Sequence, residues 1–433
     1  MKPKIITQIP GPKAAKLLAY NKQHNGGWSV PHPFVHSGEG EGCYFKDIDG
    51  NTFLDFASQV SSNPLGYNHP EIIHVIKRYA HRSPVKYAGQ DFLVKEHNEL
   101  LEELLSITPK GLDAAFLTNS GAEAVENSIK ICMRQRPKAK FCISFKNAFH
   151  GRTLGALSLT NTKKKMQKAN YFTIPTKRLP YNENAGTTLL KILEKHPPDE
   201  VACVIMEPIQ GEGGYNIPSM RMVKDVRSVT LHKGIPLISD EVQAGMGRTG
   251  RWWGIEHFGV KPDVISAAKA LQVGATIASK KMFPTESGSI SSTWGGGQVI
   301  DLAVGAEIIR IIQKKHLLNR VTIMGAYLKK QLVELSEERQ DVRHPRGLGL
   351  MTAFDLLNHT ARENVIIESA KRGLVLLGCG LTGVRLIPPY IVTKEEIDEA
   401  ISILRDSIIA CSRHGFKHHG KICEFANCGE HVS

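Results

Sequence analysis

The sequence predicts an α/β protein: a large domain with a mostly parallel sheet flanked by helices, plus a smaller α+β domain. The first observation is that apolar runs alternate with amphipathic helical stretches between about residues 96 and 296. This is the pattern of a parallel sheet covered by helices. The second is a change after Leu317 to long helical patterns, with short β segments around residues 347–356 and 373–388. A chain of 433 residues is long enough for this division.

The predicted domains follow from these changes of pattern. Residues 1–65 would contribute to the smaller domain, and residues 42–47 and 50–56 alternate around Asp49 and Gly50 as the strands of a hairpin do. Residues 66–315 would form the large domain, and residues 316–410 would complete the smaller one. Residues 411–433 are polar and would form a flexible tail.

Composition indicates an ordinary globular protein, with 41% hydrophobic and 22% charged residues. No apolar run approaches the roughly 20 residues of a membrane-spanning helix, and residues 1–16 lack the apolar stretch of a secretory signal. The eight cysteines show no disulfide spacing, so reduced thiols are expected. We therefore expect a soluble, cytoplasmic protein that does not associate with membranes.

The formal net charge of +13 allows two interpretations. One is a surface that binds nucleic acid, and the other is a solvated basic surface around a site for anionic substrates. Lysine and arginine are spread along the chain, and no zinc-finger or RNA-recognition signature accompanies them. The second interpretation is therefore preferred, and no nucleic-acid partner is expected.

The residues that follow the apolar runs are the main functional signal, because ligands of a parallel sheet bind beyond the carboxyl ends of its strands. Five apolar runs are each followed by residues that suit a binding site. In chain order these are Ser120, Gly121 and Ala122, then Phe149 and His150, then Glu207, then Asp240, and finally Lys269. We expect the five strand ends to deliver them to one crevice.

The first two groups also have plain structural explanations. Ser120, Gly121 and Ala122 begin a predicted helix, and the free N–H groups of a helix start bind phosphate, but many helices begin with small residues. Phe149 could stack on a flat ring, but an isolated phenylalanine is more often part of the core. Neither signal identifies a ligand by itself.

The acid and the lysine at the later strand ends carry more information. Asp240 can pair with a pyridinium nitrogen, which keeps the ring able to accept electrons, and Val242 would lie against the ring face opposite Phe149. Lys269 can form a Schiff base if burial or nearby cations favour its neutral amine. A single lysine after a strand is usually a surface residue. Together with Asp240 and a phosphate loop, it indicates pyridoxal 5'-phosphate (PLP).

These residues belong to motifs that resemble class III aminotransferases of fold type I, over residues 10–404 or so. The matching motifs are residues 119–127, 149–152, 207–214 and 240–250, together with Lys269. Residues 58–67 and 378–380 look most like 4-aminobutyrate aminotransferases, whereas residues 157–162, Gln272 and residues 292–296 look like lysine 6-aminotransferases. The resemblance implies the fold type I architecture, with residues 66–315 as the PLP-binding domain, and a homodimer with shared active sites.

The resemblance also implies a role for each cofactor-binding residue. Lys269 would hold the cofactor and carry the proton between cofactor and substrate. Ser120, Gly121 and Ala122 would bind the phosphate, and Thr293 would reach the phosphate of the neighbouring subunit. The other contacts would be Phe149, His150 and Val242 at the ring, Asp240 at its nitrogen, Gln243 at its phenolic oxygen, and Glu207 behind these residues.

The resemblance implies that two arginines and a glutamate bind the substrates. An ω-amino acid presents its amine to the cofactor and its carboxylate to Arg152, whose guanidinium matches a carboxylate bidentately. A 2-oxo acid with two carboxylates also needs Arg385. Glu212 resembles the family glutamate that pairs with that arginine while the amino donor is bound. The arginine needs this partner because an unpaired buried charge is costly.

The sequence departs from the family pattern in three places. Residues 270–274 replace a glycine-rich run, and Ala122 replaces a frequent serine. Ser120 and Glu123 stand where some relatives carry a cysteine pair for an iron–sulfur cluster, so no cluster is expected.

Cys423 and Cys428 lie in the tail beside several histidines, but their spacing matches no standard zinc pattern. No metal is predicted.

The preferred prediction is transfer of an ω-amino group, from 4-aminobutyrate or a similar amino acid, to 2-oxoglutarate in two half-reactions. Its alternatives within the class are lysine 6-aminotransferase and ornithine aminotransferase. An amino-acid racemase would use the same fold and lysine but needs no oxo acid. A basic binding protein that has lost catalysis is disfavoured by the presence of both Asp240 and Lys269.

Overall fold

The computed structural model describes residues 1–27, 32–81, 91–162, 173–292, 294–413 and 415. The chain divides into two compact units. The larger is Glu71–Leu318, and the smaller combines Met1–Pro70 with the chain from Asn319 onward. The sequence predicts these divisions at residues 65/66 and 315/316, a few residues earlier in each case.

The strands of the described residues belong to three sheets. In chain order they are β1 His36–Glu41, β2 Tyr44–Asp47, β3 Thr52–Asp55, β4 Ala114–Thr118, β5 Phe141–Phe145, β6 Thr176–Leu179, β7 Val201–Met206, β8 Leu237–Asp240, β9 Val264–Ala267, β10 Gly274–Ala278, β11 Arg343–Leu348, β12 Met351–Asp355, β13 Leu374–Val375, β14 Leu377–Cys379 and β15 Gly383–Leu386.

The α-helices of the described residues are α1 Pro12–His24, α2 Pro70–Tyr79, α3 Lys95–Ser106, α4 Gly121–Gln135, α5 Leu154–Leu159, α6 Ala185–Lys195, α7 Met220–His232, α8 Val299–Lys314, α9 Leu317–Glu338, α10 His359–Lys371 and α11 Lys394–Arg413. Short 3-10 turns span Pro198–Glu200, Gly254–Phe258, Lys269–Leu271 and Lys280–Met282. Ser58–Ser61 form one turn in which every residue has a positive φ angle. None of these helices combines the length and the apolar character of a membrane span.

The larger unit is built on one seven-stranded sheet with the order β4-β10-β9-β8-β7-β5-β6. Only β10 runs against its neighbours, β4 and β9, and the other pairs are parallel. Because β4 and β9 are both antiparallel to β10, they run in the same direction as each other. The remaining six strands therefore end at the same edge of the sheet, and the predicted fold class is confirmed.

Burial on both faces explains why these strands are continuous apolar runs. Every residue of β7 and β8 is buried. Successive side chains point to opposite faces, so Val204 packs in one core cluster and Ile205 in another. Full burial of one such side chain stabilises the fold by roughly 1.5–3 kcal/mol.

The smaller unit contains two four-stranded sheets. One has the order β1-β2-β3-β13, and its β2–β3 pair is antiparallel around Asp49 and Gly50, which confirms the predicted hairpin. The other has the order β11-β12-β15-β14 and is antiparallel throughout.

The predicted start of the polar tail at residue 411 is wrong, because α11 continues to Arg413. Leu404, Ile408 and Cys411 are buried and repeat at helical spacing, so the apolar stripe of the helix extends one turn further than the sequence analysis assumed. Cys423 and Cys428 lie outside the described residues.

Candidate active site

The start of α4 lies directly beyond the end of β4. Ser120 caps the helix, because its Oγ accepts a hydrogen bond from the Glu123 N–H at 3.2 Å. The Glu123 carboxylate in turn accepts the Asn119 N–H at 2.8 Å. Gly121 and Ala122 occupy the first helical turn, where N–H groups have no acceptor within the helix. The arrangement leaves these two donors suited to an anion such as phosphate.

Gly121 is the point at which the helix start meets two other candidate segments. A β-carbon at this residue would lie 2.9 Å from Val242 Cγ1 and 3.3 Å from Ala268 Cβ. The first distance is too short for any side chain, so only glycine allows the three segments to pack this closely. The helix start, Val242 and the residue preceding Lys269 are therefore neighbours.

The loop after β5 packs against the same helix start. A β-carbon at Gly151 would lie 2.9 Å from Ala122 Cβ, and Gly151 has a φ angle of 135°. Within this loop, the Arg152 guanidinium carbon lies 5.1 Å from the centre of the Phe149 ring. Arg152 is exposed, whereas Phe149 is half-buried. The stacking holds the guanidinium while leaving its N–H groups available to a carboxylate.

Asp240, at the end of β8, is buried and held by two donors. His150 Nδ1 lies 2.7 Å from one carboxylate oxygen, and the Val242 N–H donates to the other at 3.1 Å. Because an ionised carboxylate only accepts hydrogen bonds, we assign the proton to His150 Nδ1. The side chains of His150 and Asp240 are 0% and 4% exposed, so this charge-assisted bond is shielded from water and fixes the carboxylate.

Glu207, just beyond β7, joins two loops. One of its carboxyl oxygens accepts the Phe149 N–H and the other accepts the Gly211 N–H, both at 2.9 Å. Burial, followed by the negative charge of Asp240, raises the pKa of Glu207 to about 8. The charge of Glu212 acts in the same direction, which places Glu212 near this group. The Glu207 carboxyl therefore takes up a proton at a much higher pH than an ordinary glutamate does.

Lys269 begins the 3-10 turn that follows β9 and is half-buried. Its φ angle is 53°, in the left-handed region that a non-glycine residue adopts only at a cost. Gln272 ends the turn with a φ of 70°, and its N–H donates to the Lys269 carbonyl at 2.9 Å. The Asp240–Ser266 pairing of β8 with β9 places the lysine turn beside the Asp240 end of the sheet.

These residues fit PLP on grounds of donor chemistry. Gln243 Nε2 is buried and has no hydrogen-bond partner among the described residues, so its amide is available to an acceptor such as a phenolic oxygen. The start of α4 suits the phosphate, Asp240 suits a protonated ring nitrogen, and Lys269 supplies the amine. When bound, PLP supplies an electron sink for the carbanion of an amino acid.

The structure brings together the predicted site residues that belong to the larger unit. Contacts among them link Gly121, Ala122, Phe149, His150, Arg152, Glu207, Glu212, Asp240, Val242 and Gln243, with Ser120 and Lys269 adjoining. Arg385 lies in the smaller unit, on β15, and is 4% exposed. Its role as a carboxylate ligand stays a prediction. Thr293 lies outside the described residues.

Two residues of this region were missed by the sequence analysis. The Tyr181 hydroxyl donates to the Glu207 carbonyl at 2.8 Å, which fixes the backbone at the end of β7. Gln210 is 1% exposed and bonds to Lys146 and Asn216. Gln210 lies within the motif at residues 207–214. Its partners Lys146 and Asn216 lie on loops that come together only in the folded chain. Tyr181 lies just after the edge strand β6, and this position at a strand end is the sequence signal that could have identified it.

Comparisons with known proteins agree with this fold. Lysine aminotransferase from M. tuberculosis, solved in the internal aldimine form, matches with a TM-score of 0.84 at 27% identity, over 93% of this chain and 100% of that chain. An acetylornithine aminotransferase from Methanosarcina mazei is 35% identical over 87% of this chain and 92% of its own length. An alanine/serine racemase from Pyrococcus horikoshii is 29% identical over 94% of this chain and 92% of its own length.

The fold and the site together define a PLP-dependent enzyme of fold type I. The match to Aminotransferase class-III covers residues 27–408, and the chain belongs to this family. PLP is accordingly its cofactor, and the aminotransferases of this family act on amino and 2-oxo acids. The similar proteins support the lysine and ornithine alternative of the sequence analysis better than its preferred 4-aminobutyrate donor.

The raised pKa of Glu207 predicts a pH-dependent stability difference. The folded-state pKa of about 8 exceeds the ordinary value of 4.5, so the wild-type protein loses stability as pH rises from about 5 to 8. Glu207→Gln stays neutral, so it should not show this loss. Its free energy of unfolding relative to wild type should rise over that range by an amount on the order of a few kcal/mol.

Urea unfolding of the cofactor-free protein at pH 5 and pH 8.5 measures this difference. Glu102→Gln, at an exposed position of α3, is the control. An equal stability difference at the two pH values would show that Glu207 is ionised throughout.

Proposed function

We propose that this enzyme transfers the terminal amino group of an α-substituted ω-amino acid to 2-oxoglutarate. The donors that we favour are N-acetylornithine, ornithine and lysine. The observation that carries the proposal is Arg152, which is exposed and stacked on Phe149 beside the candidate PLP site. The acetylornithine and lysine aminotransferases to which the chain is similar support the same class of donor.

Arg152 suits the far end of such a donor. A guanidinium binds a carboxylate through two parallel hydrogen bonds, which fixes the orientation of the donor as well as its position. With the carboxylate held there, the terminal amine of an extended chain would point away from Arg152, toward the cofactor. This arrangement selects the ω-amino group over the α-amino group.

The cofactor-binding roles in the proposal follow the geometry of the larger unit. Lys269 would hold PLP covalently and carry the proton between cofactor and substrate. Asp240 would accept a hydrogen bond from the ring nitrogen, with His150 fixing its carboxylate. Phe149 and Val242 would enclose the ring, and Gln243 would donate to the phenolic oxygen.

A racemase is the second candidate, because the Pyrococcus horikoshii alanine/serine racemase is similar along nearly the whole chain. A racemase returns the proton to the carbon from which it was taken and needs no oxo acid. The two candidates therefore differ in whether an amino donor alone leaves the cofactor in its amine form.

A single-turnover experiment separates these functions. N-acetylornithine, ornithine, lysine, 4-aminobutyrate and L-alanine are added separately to the holoenzyme without any oxo acid, and the cofactor absorbance is followed. We expect one of the first three to convert the cofactor to its amine form at least about tenfold faster than 4-aminobutyrate, with 2-oxoglutarate restoring the original spectrum. Fastest conversion by 4-aminobutyrate would overturn the donor assignment. Loss of chirality of alanine without conversion would favour the racemase.

Arg152→Gln tests the carboxylate-binding role. Loss of a charge-assisted bidentate contact should lower kcat/KM for the preferred donor by about 10- to 100-fold, mainly through KM. Steady-state kinetics with a fixed 2-oxoglutarate concentration measure this. Arg134→Gln, which removes a surface arginine paired with Glu286, is the matched control. An Arg152→Gln enzyme with an unchanged donor KM would exclude this arginine from donor binding.

We also propose that the enzyme is a homodimer with shared active sites, as the family resemblance implies. Two adjacent apolar side chains before α3, Phe92 and Leu93, are 66% and 67% exposed and are available to a partner surface. Sedimentation equilibrium of the holoenzyme measures the mass directly, and a monomeric mass would contradict this proposal.

A further inference from the structure

Gln210 is a buried amide that bonds to two separate parts of the chain. Its Nε2 donates to the Lys146 carbonyl at 2.7 Å, and its Oε1 accepts from Asn216 Nδ2 at 2.9 Å. The Gln210 N–H donates to the Asn216 carbonyl at 3.1 Å. With only 1% of its surface exposed, this side chain has no water to replace these partners. Gln210 thus ties both ends of the segment 210–216 to the loop that follows β5.

A second contact holds the middle of the segment against the same loop. A β-carbon at Gly213 would lie 2.3 Å from the Asn147 carbonyl oxygen, so the two backbones touch and no side chain fits between them. Asn216 Nδ2 also donates to the Gly213 carbonyl at 3.1 Å. Asn147 has a φ angle of 62°, which turns its carbonyl in a way few non-glycine residues adopt. The contact is therefore part of the local fold.

Glu207 supplies a third connection, since its carboxyl accepts the N–H groups of Phe149 and Gly211. Together the three contacts form one seam between residues 146–149 and 210–216. The first of these loops leads directly to Arg152, and the second contains Glu212.

We propose that Gln210 is a positioning residue that fixes the Glu212 segment against the Phe149–Arg152 loop, so that substrate carboxylates meet a preformed arrangement of charges. This rests on the proposed function, in which Arg152 binds the donor carboxylate. Because the backbone on both sides of Glu212 is held, the Glu212 carboxylate changes position through its own side-chain torsions and not through movement of the loop. Gln210 acts through these contacts, because both polar atoms of its side chain already bond to Lys146 and Asn216.

Two substitutions and one control separate positioning from general stability. Gln210→Leu keeps the buried volume and removes both side-chain hydrogen bonds. Gln210→Glu keeps the acceptor for Asn216 and can donate to the Lys146 carbonyl only while its carboxyl is protonated. Thr230→Val removes one buried side-chain hydrogen bond within α7, away from the seam, and controls for destabilisation.

Steady-state kinetics of the holoenzymes give the first readout. Gln210→Leu should raise the KM of the amino donor or the 2-oxo acid by about tenfold, with kcat changed by less than about threefold and the cofactor absorbance unaltered. For Gln210→Glu, the ratio of its kcat/KM to that of wild type should fall by about fivefold or more between pH 6 and pH 8.5, as the introduced carboxyl ionises. Thr230→Val should show neither effect.

Hydrogen exchange gives a readout that does not depend on which substrate the enzyme uses. Amides of residues 211–216 should exchange about tenfold faster in Gln210→Leu than in wild type, with little change in Thr230→Val.

If no donor is turned over by wild type, the proposed function fails, and this exchange measurement still tests whether Gln210 holds residues 211–216 in place. Unchanged KM values in Gln210→Leu, a pH-independent ratio for Gln210→Glu, or unchanged exchange at residues 211–216 would overturn the proposal. If Gln210→Leu does not fold, the pH dependence of Gln210→Glu decides.

Discussion

The common direction of six strands in the larger unit determines where the candidate catalytic groups lie. Residues far apart in sequence, such as Ser120, His150 and Lys269, meet because each follows a strand that ends at the same edge. An edge of this kind concentrates helix N-termini and loop side chains, so one sheet supplies both an anion site and the groups that surround a flat ring. The PLP chemistry of the family depends on this geometric constraint before it depends on any single side chain.

Close backbone packing then sets the distances within the site. Gly121, Gly151 and Gly213 each lie where a β-carbon would come within 3 Å of another segment, so the loops interlock without intervening side chains. The buried polar groups complete the same network: Asp240 with His150, and Glu207 with two backbone N–H groups. Because water is excluded from these bonds, each fixes a direction as well as contributing stability. Such a network is preorganised for a cofactor whose orientation decides which bond reacts.

Much of this could be predicted from the sequence, for identifiable reasons. Apolar runs mark buried strands, and the polar residue after each run marks its carboxyl end, so Asp240 and Lys269 were recognisable. The reversal of β10 was not, because a short apolar strand has the same appearance in either direction. The left-handed backbone of Lys269 and the hydrogen bonds of Gln210 to Lys146 and Asn216 depend on tertiary contacts, and local sequence patterns do not report these. Donor specificity was also beyond the motifs, since the same site residues serve several ω-amino acids.

The central claim is that Lys269 holds PLP at this sheet edge, and covalent mapping tests it most directly. The holoenzyme is reduced with borohydride and digested, and the pyridoxyl group is located by mass spectrometry. We expect a single modified peptide with the label on Lys269, and no labelled peptide from Lys269→Ala. A label on another lysine of the wild-type enzyme, or the same labelling pattern in Lys269→Ala, would contradict it.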